Sequence, residues 1–287
     1  MRGVTESMAG RAAVLHLLPL SLTESTKVSL LRGGFPEVVV ARPGVARLWF
    51  SSFLQTYLER DVRAVAEVRH VATFRRFLGL LASRTGQILN RSDLAGPLGV
   101  SVPTISHWID VLQTTALVLL VSPFYENFGK RLVKSPKLYL ADPGLACHLL
   151  GLHTLSALES SPFLGPVWEG FVATEIVKQQ VNAGRRQELY WFRDQQGLEV
   201  DFVYPETAER LVLVEAKATR TPRPEHALPI ARLRSAMGPR RAVRGLVVHR
   251  GTETEPALAP GAAAVPLNEL RVVAQGRGSR APGRPKS

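Results

Sequence analysis

The chain has 287 residues, 45% of them hydrophobic, with 36 Lys and Arg against 24 Asp and Glu for a net charge of +12. Such a length can hold two compact domains, and a lone cysteine, Cys147, excludes a disulfide within the chain and fits a reducing, cytoplasmic setting. The basic excess favours a polyanionic partner, DNA first among them, while no apolar run nears the roughly 20 residues of a membrane span.

Ala12 to Leu22 is apolar and follows Arg2 and Arg11, as a signal peptide would be arranged. His16 interrupts it, and no small-x-small cleavage site precedes Glu24 and Lys27, so secretion is not expected. Gly33-Gly34-Phe35-Pro36 reads as a turn. Val45 to Arg63 carries Trp49, Phe53, Leu54, Tyr57 and Leu58 at helical spacing, with a salt-bridged end at Glu59-Arg60-Asp61. A second amphipathic helix spans Thr73 to Ser83.

Asp93 to Leu98, a turn at Gly99 and Val102 to Gln113 together resemble a helix-turn-helix inside a winged-helix domain. Ser101 can cap the last of these helices, with Pro103 in its first turn. Its stripe of Ile105, Trp108, Ile109 and Leu112 faces a core. Its outward face, Thr104, Ser106, His107 and Asp110, has no Lys or Arg, which argues against direct reading of base edges. Leu117 to Val121 is strand-like. Beyond it, Lys130, Arg131, Lys134 and Lys137 stand among Phe124, Tyr125, Phe128 and Tyr139. Cations interleaved with aromatics suit a nucleic-acid backbone or a stacked base. The competing reading is a solvated hairpin tip with aromatics in the core. Asp142-Pro143-Gly144 is a turn before a helix from Leu145 to Leu150, and His16, His148 and His153 make no zinc spacing with Cys147. Gly151 to Pro166 reads as a linker. Val167 to Val181 is a helix with a broad apolar arc from Trp168, Phe171, Val172, Ile176 and Val177. Glu169 and Glu175 both lie on or beside that arc, and periodicity does not choose between them.

The stretch from Leu189 to Lys217 carries the chemistry. In one strand-like run Val200, Phe202 and Tyr204 alternate with Glu199, Asp201 and Val203. In the next, Leu211, Leu213, Glu215 and Lys217 share a face opposite Val212, Val214 and Ala216. A hairpin centred near Ala208 puts Asp201 across from Glu215. Half-buried carboxylates are costly unless paired, and two side by side repel, so a divalent cation is a natural third partner. After Lys217 come a polar, proline-bearing loop, a helix near Ala227 to Met237, a strand from Val243 to His249, a strand or turn near Ala263 to Pro266, and a short helix from Leu267 to Ala274. From Gly276 the sequence GRGSRAPGRPKS is basic and lacks large apolar residues, as expected of a disordered tail.

Asp201 followed by Glu215-Ala216-Lys217 resembles the PD-(D/E)xK pattern of restriction-endonuclease-like proteins. SMAGRAAVLHLLPLSLTE, GGFPEVV, YLERDV, KRLVKSPKLYLADPGLA, VWEGFVATEI, YWFRDQQGLEVDFV and LVLVEAKAT, in order from Ser7 to Thr219, resemble a prokaryotic group that joins an AAA+ ATPase to a DUF4143 region. The resemblance implies an α+β chain: a helical/winged-helix domain followed by an α/β restriction-endonuclease-like domain with a central mixed sheet. It implies a remnant of the ATPase domain over 1–32, a helical connector over 33–66, the winged-helix-like domain over 67–150, the linker over 151–166, the nuclease-like domain over 167–275 and the tail over 276–287. It also implies a site. Asp201 and Glu215, with the Ala216 carbonyl, would bind Mg2+ or Mn2+, and Lys217 would hold water or offset charge on phosphorus. Glu169, in the G-x-x-x-E run from Gly165, would complete the site, and DNA would be the substrate. No G-x-x-x-x-G-K-[ST] loop occurs anywhere, so no ATP site is expected in this chain, and an ATPase would be lost or supplied by a separate chain. Val14 to Leu18 would then be an unsupported edge strand or disordered. The rival expectations are a catalytically silent docking module and the remnant of a truncated gene.

Overall fold

The computed structural model describes residues 16–42, 44–57, 71–124, 135–238 and 241–272. The expected end of the connector helix, the cationic stretch at Lys130, Arg131 and Lys134, and the basic tail all lie outside these residues. In the N-terminal part, α1 (Pro36–Val40) and α2 (Val45–Tyr57) precede α3 (Val71–Ala82), β1 (Gln87–Ile88), α4 (Arg91–Leu98) and α5 (Val102–Thr114). Local signals set these boundaries. The Asn90 side chain accepts from Ser92 N, and Gly99, at a φ of 64°, stops α4 in the left-handed region. Ser101 caps α5 through Thr104 N at 3.2 Å. Phe74 and Phe77 of α3 pack edge-on or tilted against Trp108 of α5, at 5.1 and 5.2 Å between ring centres. That aromatic contact and the buried Ile105, Ile109 and Leu112 hold the three helices together.

The remaining elements are β2 (Val118–Pro123), β3 (Lys137–Leu140), α6 (Pro143–Leu149), α7 (Leu155–Glu159), α8 (Leu164–Asn182), β4 (Tyr190–Arg193), β5 (Glu199–Pro205), β6 (Arg210–Lys217), α9 (Leu228–Met237), β7 (Ala242–His249), β8 (Glu255–Ala259) and β9 (Ala262–Pro266). The nine strands form one mixed sheet in the order β1-β3-β2-β4-β5-β6-β7-β9-β8. The parallel pairing of β2 with β4, Ser122 opposite Tyr190 and Pro123 opposite Trp191, joins the two halves of the chain. Helix α8 covers one face through Val167, Phe171, Ile176 and Val177, against Phe202, Tyr204, Val212 and Val214. Helix α9 covers the other through Ile230 and Leu233, against Val203, Leu211, Leu213 and Val247. No helix among the described residues is long and apolar enough to cross a membrane.

Several sequence expectations shift. The linker region is partly ordered, because Thr154 caps α7 through Ala157 N and α8 already begins at Leu164. Of the expected final helix, the described residues form only a 3-10 turn over Leu267–Glu269. His16 to Leu18 form no strand, and the chain just beyond them is tied down. Leu20 N donates to Gly34 O at 2.7 Å, Leu22 N to Glu175 at 2.9 Å, and Lys178 of α8 to Leu20 O at 3.0 Å. Glu175 and Lys178, both 1% exposed, pair with each other at 2.9 Å. A buried ion pair with further hydrogen bonds is the arrangement that makes such burial tolerable.

Candidate functional site

Strands β5 and β6 pair antiparallel with Phe202 opposite Val214 and Pro205 opposite Leu211, the register of a hairpin centred on residue 208. The same register sets Asp201 opposite Glu215. Between β4 and β5 the register shifts: Tyr190 pairs with Val203 but Phe192 with Val200, so β5 carries an extra residue around Asp201. Such a bulge re-aims a side chain and ends regular pairing. It explains why Val200 lies in the α9-side core with Val203, not with Phe202 and Tyr204 as simple alternation predicts. The Asp201 carboxylate accepts from the backbone N of Ala216 at 2.8 Å, so it satisfies a donor where the ladder stops.

Glu215 is 2% exposed, and its Oε2 lies 2.6 Å from Lys217 Nζ. The same ammonium is 3.7 Å from Asp201 Oδ2. Glu215 Oε1 is buried with no hydrogen-bond partner. Burial, and then the nearby Asp201 charge, push the Glu215 carboxyl up to about 8, against the pull of Lys217. Burial opposes the charge on Lys217, but Asp201 and Glu215 outweigh it and hold its pKa above the ordinary value.

Glu169, in the first turns of α8, faces the same centre. Burial and Asp201 raise its pKa to about 7. Its Oε1 accepts from Lys137 Nζ at 2.9 Å and from the Tyr139 hydroxyl. Lys137 also pairs with Glu199 at 2.6 Å and stands 5.4 Å from the centre of the Trp191 ring. Asp201 thus influences two Glu–Lys pairs, one on each side. Four carboxylates meet two ammoniums and the Arg193 guanidinium, 3.6 Å from Glu199, which leaves one negative charge uncompensated when all are ionised.

Lys137 corrects an expectation. Sequence spacing groups it with Lys130, Arg131 and Lys134 as a nucleic-acid contact, yet it is 4% exposed and its charge is spent on Glu169 and Glu199. Its pKa is raised despite burial because those carboxylates and Asp201 surround it. Tyr139, fully buried, remains a hydroxyl donor, its pKa pushed up by burial and by Glu169. Sequence reasoning assigned neither Lys137 nor Tyr139 to this site. The available signal was their i, i+2 spacing, which puts both on one face of β3. Glu175, the other acid on or beside the apolar arc of α8, is drawn away to the N-terminal segment.

Among the described residues no group of three or more His, Cys, Asp or Glu is placed to hold a metal ion. Magnesium does not need such a group, since it binds through one or two carboxylates and keeps several waters. Asp201 and Glu215 supply hard oxygen donors, and the unpaired Glu215 Oε1 is a buried acceptor without a donor. Asp201 and Glu215 are the carboxylates of this cluster that could hold a divalent cation.

Residues 164–270 match the domain of unknown function DUF4143, and residues 23–156 match a second domain of unknown function, DUF8612. The site draws on both, since Lys137 and Tyr139 come from the first matched region and Glu169, Glu199, Asp201, Glu215 and Lys217 from the second. The chain is 33% identical over 272 residues to uncharacterized proteins of Mycobacterium tuberculosis and Mycobacterium bovis, across 93% of its own length and 59% of theirs. It therefore contains a DUF4143 domain and spans a little over half the length of those relatives. No solved structure matches it.

Proposed function

We propose that this chain binds DNA and hydrolyses phosphodiester bonds with Mg2+ or Mn2+ at the cluster of Asp201, Glu215 and Lys217. The observation that carries this reading is the convergence of Asp201 and Lys217 on Glu215, a buried carboxylate with one oxygen unpaired. Asp201 and Glu215 would hold the cation, with the Ala216 carbonyl, next to Glu215 in sequence, as a further oxygen donor. A cation bound there would polarise the phosphate and lower the pKa of a water molecule toward neutrality. Lys217, whose side chain is one-third exposed, would orient that water or meet charge gathering on phosphorus. Glu169, anchored by Lys137 and Tyr139, would hold a further water. The PD-(D/E)xK resemblance supports this division of roles. The resemblance to AAA+/DUF4143 proteins supports an ATPase as partner, on the same polypeptide or a separate chain. Lys130, Arg131 and Lys134 would steer the DNA backbone by charge.

Plasmid, linear and branched DNA incubated with the protein and Mg2+ or Mn2+ test the reading. Cleavage is expected, with a loss of at least 100-fold in Glu215→Gln and Lys217→Met proteins, the scale of removing a group that stabilises transition-state charge. Cleavage that survives both substitutions would take the activity away from this site. The engagement of Lys217 by Glu215 at 2.6 Å favours a second reading, a silent docking module. Its mark would be DNA binding without cutting, weakened when Lys130, Arg131 and Lys134 are neutralised.

A further inference from the structure

A cavity of about 260 Å³ lies beside α2 and α6 and shares no lining residue with the Asp201 cluster. Its walls include Arg32, Arg42 and Arg47, together with His148, His153 and Phe50. Among the described residues no Asp or Glu lines it. Three guanidiniums around one small space repel one another unless an anion sits among them.

Their hydrogen-bonding state sharpens the point. Arg32 is fixed from behind, because its Nη2 donates to Val38 O and Ala41 O, both at 2.6 Å. Its Nε is nevertheless buried with no acceptor, as is Nδ1 of His148. Among the described residues the side chains of Arg42 and Arg47 form no ion pair or hydrogen bond, and both are exposed at the rim. The rim also holds Gly44 and Ala46, where the 13-residue helix α2 begins. Val45 N donates to Arg42 O at 3.2 Å, and the positive end of the helix dipole adds a partial positive charge there. Phe50 and His148, with ring centres 5.4 Å apart, give the cavity a flat, less polar side.

We propose that this cavity binds a phosphate dianion, free or as the head of a small monoester. Planar guanidiniums match phosphate oxygens in pairs, which favours phosphate over a single carboxylate. The volume lies below the roughly 300–1,000 Å³ of sites for drug-sized ligands, so the organic part is no larger than about a sugar. The proposal is independent of the nuclease reading, since none of these residues belongs to the Asp201 cluster.

The test is calorimetric titration of the full chain with inorganic phosphate and, separately, ribose 5-phosphate. Ribose and sodium chloride at matched ionic strength serve as controls, because a chain of charge +12 attracts anions in general. Saturable binding is expected from at least one phosphate probe and none from the controls. Tighter binding of ribose 5-phosphate would assign the site to a monoester; equal binding would assign it to phosphate itself. The double variant Arg42→Ser/Arg47→Ser should weaken binding at least tenfold. Both residues are exposed, so its melting temperature without ligand should stay at that of the native protein. Arg47→Lys, which keeps the charge and loses the fork, should fall between the two. Absence of saturable binding, or equal affinity in the double variant, would overturn the proposal.

Discussion

Burial sets the chemistry of Glu215 and Glu169 more than any partner does. Both carboxyls sit above their ordinary value of 4.5, at about 8 and about 7, because burial and Asp201 disfavour their charged forms. A group whose folded pKa is raised binds protons more tightly in the folded state, so stability falls as pH rises from the unfolded value to the folded one. Without divalent cations the protein should lose stability between pH 4.5 and about 8, by an amount on the order of a few kcal/mol. Urea unfolding across that range measures it, and Glu215→Gln should flatten the slope. A slope unchanged by that substitution would show that Glu215 is not the group responsible. Adding Mg2+ at pH 8 should restore stability in the native protein and not in Glu215→Gln, since a ligand of the folded state adds RT ln(1 + [L]/Kd). Lys137 poses the converse case. Lys137→Met leaves Glu169 and Glu199 without their shared cation, and breaking a buried pair this way costs about 3–5 kcal/mol, with the lower end expected because Glu199 is partly exposed. Lys137→Arg should recover part of that loss in the same unfolding assay.

Elements show where the sequence was legible and where it was not. Helix α5 could be read closely, because Ser101, Pro103 and the Ile105–Leu112 stripe are local signals that packing did not override. The β5–β6 register was legible for a similar reason: alternation fixes the face, and a short polar connection fixes the centre. The bulge at Asp201 was not, since it depends on how β4 meets β5 and leaves no mark on the periodicity of β5 itself. Strand β1, with only two residues, and β3, whose partners β1 and β2 precede it by many residues, gave no periodicity to read. The choice between Glu169 and Glu175 was likewise hidden, because helical angle cannot say which end of α8 meets Lys137 and which meets Leu22. One glycine marks a similar long-range constraint. Gly33 has a φ of 72°, and a Cβ there would lie 2.0 Å from Asp142 Oδ1. That buried carboxylate accepts from Gly34 N and caps α6 through Leu145 N at 2.9 Å, so it cannot step aside. Gly33→Ala should therefore cost about 2 kcal/mol or more in a denaturant titration, combining strain at positive φ with loss of a buried hydrogen bond. A neutral result would mean that the turn relaxes without disturbing Asp142.

At the scale of the molecule, the two matched regions are not separable pieces. One sheet runs through both, and the candidate site lies where they meet. A fragment of residues 160–272 would keep Glu169, Glu199, Asp201, Glu215 and Lys217. It would lose β2, which pairs with β4 through Ser122 and Pro123, and β3, which brings Lys137 and Tyr139. The freed edge of β4 would present unpaired backbone groups beside the newly uncovered Trp191, a template for association with other chains. Glu169 and Glu199 would face each other's charge without an ammonium between them. The fragment alone should therefore aggregate or elute far from its monomeric size in gel filtration. Co-expression with residues 16–159 should return it to a soluble complex, because the missing strand and the missing cation arrive together. If the fragment instead ran as a folded monomer and melted at the temperature of the full chain, the first region would contribute nothing essential to the site. Lys137 would then be a bystander that happens to touch it.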